Sequence, residues 1–243
     1  MTTTATTSLL SFLAIAIIAG CEKKPETSKE TTKPSTAPVV PATSPTADMT
    51  NATTLFQTVC SQCHGKKGEG NDQLKTPSIA SLPDWYVAKQ LRKFRENLRG
   101  MSKTDAQGAQ MHAIAQNLPP TLFGDVAVLI SKMPRVPTKP FEGADLVEGR
   151  ETFEVICMEC HRYNARGELF FGSPPLVGLQ NWYIEAQLTK FQNGDRGAHP
   201  HDLEGGKMKL VAAKLENRKT IVDVVSFISK LAEKTDEEGP SKK

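Results

Sequence analysis

Two Cys-x-x-Cys-His pentads, Cys60-Ser-Gln-Cys63-His64 and Cys157-Met-Glu-Cys160-His161, lie 97 residues apart in this chain of 243. Such a pentad is the attachment pattern of a c-type haem: two thiols form thioethers to the porphyrin, and the histidine takes one axial position on iron. A helical turn must bring both thiols to one porphyrin edge while aiming the imidazole at the metal. A redox dithiol or a zinc site would use the same residue types. Two pentads in register, with no further zinc ligands repeating beside them, point instead to two covalently attached haems.

Much else repeats at the same offset, without a gap. Gly70 meets Gly167, Pro77 meets Pro174, and Trp85-Tyr86 meets Trp182-Tyr183. Gln90-Leu91 meets Gln187-Leu188, Phe94 meets Phe191, and Arg99-Gly100 meets Arg196-Gly197. The chain is a duplication, and Met133-Pro-Arg-Val-Pro-Thr-Lys-Pro140 reads as a short, stiff linker between the copies. We place one domain over residues 51–136, a second over 141–233, and a flexible tail over 234–243. Domains of this size have thin cores, so a buried haem would supply much of each.

Both copies read as all-α. Thr53 to Ser61 forms a helix that delivers the first pentad, and Asp145 to Glu159 does the same in the second copy. Pro83 opens a helix in which Val87, Leu91, Phe94 and Leu98 recur at three- and four-residue steps, and Gly100 ends it. The last helix of each copy is apolar on one side, around Val126 to Ile130 and around Ile221 to Leu231. No strand alternation separates them.

Each iron needs a sixth ligand. Of the five histidines, His112, His199 and His201 have no counterpart at the 97-residue offset. Methionine does repeat: Met111 and Met208 each lie 47 residues beyond their pentad histidine, in Gly/Ala/Lys-containing stretches that read as loops. A thioether opposite histidine gives a six-coordinate iron of relatively high potential, suited to one-electron transfer.

The first twenty residues carry no charge, and an apolar run from Leu9 to Ile18 is too short to span a bilayer comfortably. It reads as the core of an export signal over residues 1–20. Ile18-Ala19-Gly20-Cys21 is similar to a bacterial lipobox, which makes Cys21 a lipidation site and the start of the mature protein. Cys21 is also the one cysteine no haem needs, and an exported chain reaches an oxidising compartment. The rest of 21–50 is Thr, Ser, Pro, Lys and Glu with little to bury, a flexible tether between lipid anchor and first domain. Together these place the protein on the periplasmic side of a bacterial membrane.

The net charge of +3 is unevenly distributed. Residues 51–140 hold 12 basic and 6 acidic side chains, whereas 141–243 hold 14 basic and 17 acidic ones. Nucleic acid is a poor partner: the compartment is wrong, and Arg92, Lys93 and Arg95 fall on a helix whose other face is apolar. Lobes of opposite sign suit docking to different redox proteins.

The chain resembles the dihaem cytochromes c of the c4 type, two class I cytochrome c domains in tandem, over about Asn51 to Ala232. The resemblance is carried by the pentads, by Pro174-Pro-Leu-Val-Gly178 and more loosely Pro77-Ser-Ile-Ala-Ser81, by the helices Tyr86 to Phe94 and Tyr183 to Phe191, and by a methionine seven residues before a leucine. It implies that the carbonyls of Pro77 and Pro174 accept the second N–H of His64 and His161. It also implies a non-enzymatic carrier of single electrons between respiratory-chain redox proteins, from a quinol-oxidising complex to an oxidase or reductase, and association with a larger membrane complex. The rival class is a haem enzyme such as a dihaem peroxidase, or an electron-transfer subunit of a dehydrogenase. A peroxidase needs an open iron position, which methionine in both copies would deny. Two departures stand out: Ser81 and Arg162 occupy positions where the pattern has glycine.

Overall fold

The computed structural model describes residues 48–237. The export signal expected over 1–20, the lipidation site Cys21 and most of the tether and tail lie outside the described residues.

Each pentad closes one long helical stretch. In the first copy this runs through α1 (Met49–Leu55), a π-helical turn (Phe56–Cys60) and α2 (Ser61–His64). It therefore starts before Thr53, inside the expected tether, because the Asp48 side chain accepts the Asn51 amide at 3.1 Å and caps the first turn. The second copy repeats this with α6 (Leu146–Thr152), a π turn (Phe153–Cys157) and α7 (Met158–His161). There Asp145 is the cap rather than the first helical residue, accepting the Val147 and Glu148 amides. Each π turn ends on the first cysteine of its pentad. Such local widening recurs at functional positions of helices.

The first domain continues with α3 (Asp84–Arg95), α4 (Ala106–Asn117), a 3-10 turn (Pro120–Leu122) and α5 (Phe123–Ser131). The second repeats the order with α8 (Asn181–Asn193), α9 (Leu203–Ala212) and α10 (Arg218–Glu237). Among the described residues there is no strand, only isolated bridges Asn71–Thr76 and Glu168–Ser173, again at the repeat offset. Helix α5 packs on α1 and α3, and α10 packs on α6 and α8. Phe56 and Phe153 are buried where the π turns meet these helices, each worth about 1.5–3 kcal/mol of apolar burial. Val126 and Ile130 of α5, and Val224, Val225 and Ile228 of α10, complete the cores.

Three expectations need correction. Helix α3 stops at Arg95, short of Gly100, because Asn97 turns left-handed (φ 61°) and the Leu98 and Arg99 amides fold back onto the Lys93 carbonyl. Gly100 serves a different purpose: it lies against the Gly108 carbonyl, where a side chain would collide. The stretches holding Met111 and Met208 are helices rather than loops, since Asp105 and Asp202 cap them by accepting the Gly108 and Gly205 amides. Helix α10 extends well beyond Leu231, into the expected tail.

The two domains meet through a nearly two-fold network. Arg99 donates to Gln90 (2.7 Å), Gln187 (3.0 Å) and the Tyr183 hydroxyl (3.3 Å). Ninety-seven residues on, Arg196 donates to Gln187 (2.9 Å), Gln90 (3.3 Å) and the Tyr86 hydroxyl (3.3 Å). Each guanidinium also lies over its own domain's phenylalanine, Phe94 at 4.5 Å and Phe191 at 4.6 Å. Flanking them, Lys93 pairs with Asp202 and Lys190 with Asp105, both at 2.5 Å. The duplication has thus produced the geometry of a symmetric dimer within one chain.

Candidate functional site

In the first domain a largely apolar cavity opens between the pentad and helices α3 to α5. Val59, Cys60, Cys63 and His64 form one wall, Leu91 and Phe94 of α3 another, Met111 and Ile114 of α4 a third, and Val126 and Ile130 close the floor. The structure thereby brings His64 and Met111, separated in sequence, onto one space. The cavity reaches Arg99 and, across the domain interface, Tyr183, Gln187 and Lys190.

The His64 ring is held in one orientation. Its Nδ1 lies 2.8 Å from the Pro77 carbonyl oxygen, which can only accept, so Nδ1 carries the proton and Nε2 keeps a free lone pair. The second copy has the same arrangement, His161 Nδ1 to the Pro174 carbonyl at 2.9 Å. Both rings are buried. Burial pulls both below the ordinary histidine pKa, against the opposing effect of the proline carbonyls. Neutral imidazoles of fixed tautomer are suited to bind a metal through Nε2.

The cysteines do not suit dithiol chemistry. Burial pushes the Cys60 thiol up to about 11 and Cys157 to about 12, whereas a reactive thiol is lowered toward neutrality. A zinc site would need a cluster of three or more His, Cys, Asp or Glu, and none occurs among the described residues. A buried apolar slot with two thiols on its wall, a free imidazole nitrogen and a facing thioether does fit a covalently attached haem.

One polar atom supports this fit. Arg99 Nε is buried with no hydrogen-bond partner, although the rest of that guanidinium is paired. Arg99 and Arg196 meet only neutral Gln and Tyr oxygens in the network described above. The charge of Arg99, which lines the cavity, therefore remains available to an anion. Porphyrin carboxylates would supply one.

Met208 sits half-buried on α9, at the position equivalent to Met111 on α4. Sequence reasoning missed the interdomain lysine–aspartate pairs. The signal was present, since Lys93 and Lys190, and Asp105 and Asp202, recur at the repeat offset.

Known proteins resemble this chain in both sequence and shape. The cytochrome c family model matches residues 49–127. The thiosulfate dehydrogenase electron acceptor of Thiomonas intermedia (strain K12) is 32% identical over 173 residues, 66% of this chain and 73% of that protein. Cytochrome c4 of Azotobacter vinelandii is 28% identical over 188 residues, 71% of this chain and 84% of the relative. The crystal structure of reduced recombinant cytochrome c4 from Pseudomonas stutzeri superposes with a TM-score of 0.59 at 25% identity, covering 76% of this chain and 98% of that one.

Proposed function

The chain belongs to the dihaem cytochrome c4-like family of electron-transfer proteins and carries two covalently bound c-type haems, and on that premise we propose that it is a membrane-tethered carrier of single electrons between respiratory complexes. Its donor would be a quinol-oxidising complex and its acceptor a terminal oxidase or reductase. It is a carrier rather than an enzyme. Cys60 and Cys63 would hold the first haem through thioethers, with His64 and Met111 as axial ligands. Cys157, Cys160, His161 and Met208 would do the same for the second. Bound there, haem supplies a one-electron couple at iron.

The chain's own residues do the rest. Pro77 and Pro174 orient the imidazoles, the apolar walls exclude water, and Arg99 and Arg196 offset porphyrin carboxylates. Cys21 would carry the lipid anchor, with residues 22–50 as tether, on the periplasmic side of a bacterial membrane.

The observation that carries this reading is the placement of His64 and Met111 on one buried cavity, with the same residue types repeated 97 positions on. An iron held by His64 and Met111, or by His161 and Met208, would have no open position for peroxide. Oxidised protein should show the weak far-red charge-transfer band of thioether-bound ferric haem at two equivalents per chain. Met111→Ala and Met208→Ala should each remove half. A band worth one equivalent, together with peroxide turnover, would favour the peroxidase instead.

A second donor has specific support. The relative at 32% identity is named as the electron acceptor of a thiosulfate dehydrogenase. Reduction of this protein by such a dehydrogenase, but not by a quinol-oxidising complex, would replace the first donor with the second.

A further inference from the structure

The two copies share ligand types but not surfaces. Val155 and Phe170 are 84% and 88% exposed, and Met158 and Leu169 are exposed beside them in sequence. At the same register the first copy has Thr58, Gln73, Ser61 and Asp72, all polar. Acidic residues follow the same rule. Glu148, Glu151, Glu154 and Glu159 are exposed along α6, the π turn and α7, where the first copy has Asn51, Thr54, Gln57 and Gln62. Residues 146–161 thus hold four glutamates against one arginine, Arg150, which pairs with Glu154 at 2.7 Å, and the loop to Glu168 adds Arg162 and Arg166; residues 49–64 hold no charged residue besides the pentad histidine.

Met158, Glu159, Leu169 and Phe170, among these differences, flank the second pentad. In the first domain Cys63, Lys75 and Thr76 line the cavity, with Cys63 and Lys75 exposed. The repeat places Cys160, Gly172 and Ser173 at the corresponding points. Met158 and Glu159 immediately precede Cys160, and Phe170 and Leu169 form the turn closed by the Glu168–Ser173 bridge. The two borders are linked, since the Gly167 amide donates to the His161 carbonyl at 3.0 Å and Arg162 lies 3.9 Å from Glu168.

We infer that the pentad face of the second domain is the docking surface for a redox protein whose own cofactor edge lies in an apolar patch ringed by lysines or arginines. The inference rests on the carrier reading and deepens it, assigning this partner to the second domain. Exposed apolar groups beside a haem edge allow close, dry contact, and tunnelling falls steeply with distance. The carboxylates steer a cationic partner and orient it before contact. A lipid surface would not select for this acidic rim. A second copy, docking through its basic first domain, is the competing occupant.

The test replaces second-domain residues with their first-domain equivalents, in the haem-loaded full chain. One variant carries Val155→Thr, Met158→Ser and Phe170→Gln; another carries Glu148→Asn, Glu151→Thr, Glu154→Gln and Glu159→Gln. The probe is a lysine-ringed mitochondrial-type cytochrome c, followed by stopped-flow electron exchange and by calorimetric affinity at low and high salt. Hexacyanoferrate serves as the small-anion control. The acidic variant should lose on the order of tenfold or more in exchange rate with the probe at low salt, and little at high salt. The apolar variant should lose affinity at both salt concentrations. Exchange with hexacyanoferrate should not fall in either, and the reciprocal Thr58→Val/Gln73→Phe variant should match wild type with the probe. Unchanged affinity in both second-domain variants would overturn the inference. So would sedimentation showing wild-type self-association that these replacements abolish, which would assign the face to a second copy. Wild-type protein that binds the probe here, yet exchanges electrons with neither the probe nor hexacyanoferrate, would instead overturn the carrier reading on which the partner depends.

Discussion

The side-chain oxygen of Gln180, in the second domain, accepts the backbone amide of Ser78 at 2.8 Å, one residue beyond the proline that holds His64. Its amide nitrogen donates to the Glu69 carbonyl at 3.1 Å. This contact has no mirror image, because the equivalents of Ser78 and Gln180 are Pro175 and Pro83, which offer neither amide nor side-chain carbonyl. The second domain therefore steadies the proximal loop of the first, and not the reverse. Gln180→Leu strands the Ser78 amide in a buried position, at a cost of about 1–3 kcal/mol. Stepwise redox titration should show one potential displaced and the other unmoved; equal displacement of both would indicate general loosening.

Arg162 follows the second pentad with φ 67° and ψ 160°, a conformation held in the first copy by Gly65 at φ 80° and ψ 158°. That region is close to glycine-only, and a side chain there costs on the order of 1–3 kcal/mol. Arg162→Gly should therefore raise stability by about 1 kcal/mol, after loss of its long exposed contact with Glu168. Gly65→Arg should lower it by a comparable amount. Thermal unfolding of the two haem-loaded variants should move in opposite directions.

Why some of this was legible before the structure, and some not, follows from where the physics resides. The pentads are local, and their register at 97 residues carried over to most of the helices, although α10 (Arg218–Glu237) is far longer than its counterpart α5 (Phe123–Ser131). Helix ends were less readable. Gly100 resembles a terminator, but the chain reverses at Asn97, a residue that tolerates φ above zero. Met111 lies among Gly, Gln and Ala without amphipathic periodicity, so only the Asp105 cap identifies its helix. The interdomain network was hidden for another reason. Lys93, Asp202 and Gln180 look like solvated polar residues until a partner more than 100 residues away is in place.

Lys93 and Lys190 occupy equivalent positions but do not carry equal loads. Lys93 binds the buried Asp202 at 2.5 Å and also Glu204 at 2.7 Å, whereas Lys190 binds Asp105 at 2.5 Å and the neutral Gln107 at 3.3 Å. Removing one partner of a buried pair costs about 3–5 kcal/mol, while removing both can be nearly neutral. Lys93→Met should therefore destabilise more than Lys190→Met in denaturant unfolding. The double variant Lys93→Met/Asp202→Asn, which keeps an oxygen for the Gly205 amide, should recover much of the loss. Equal effects of the two lysine changes would show that Glu204 contributes little.

Glu204 also sets how the interface responds to acid. Burial alone would raise its carboxyl, but the hydrogen bonds from Lys89 and Lys93 outweigh it and bring the pKa from 4.5 to about 2. A carboxylate lowered on folding contributes stability that is complete above its unfolded pKa. That contribution is lost as pH falls from about 4.5 through about 2. Because Glu204 is about one-third exposed, solvent screening reduces its size. Its repeat equivalent is Gln107, which cannot titrate, so acid should loosen the two-fold interface on one side. Glu204→Gln makes the two sides alike: it should lower stability near neutrality and converge with wild type at the acid end, as read from thermal unfolding across that range. A constant difference between the two at every pH would mean that the Glu204 proton is not linked to folding.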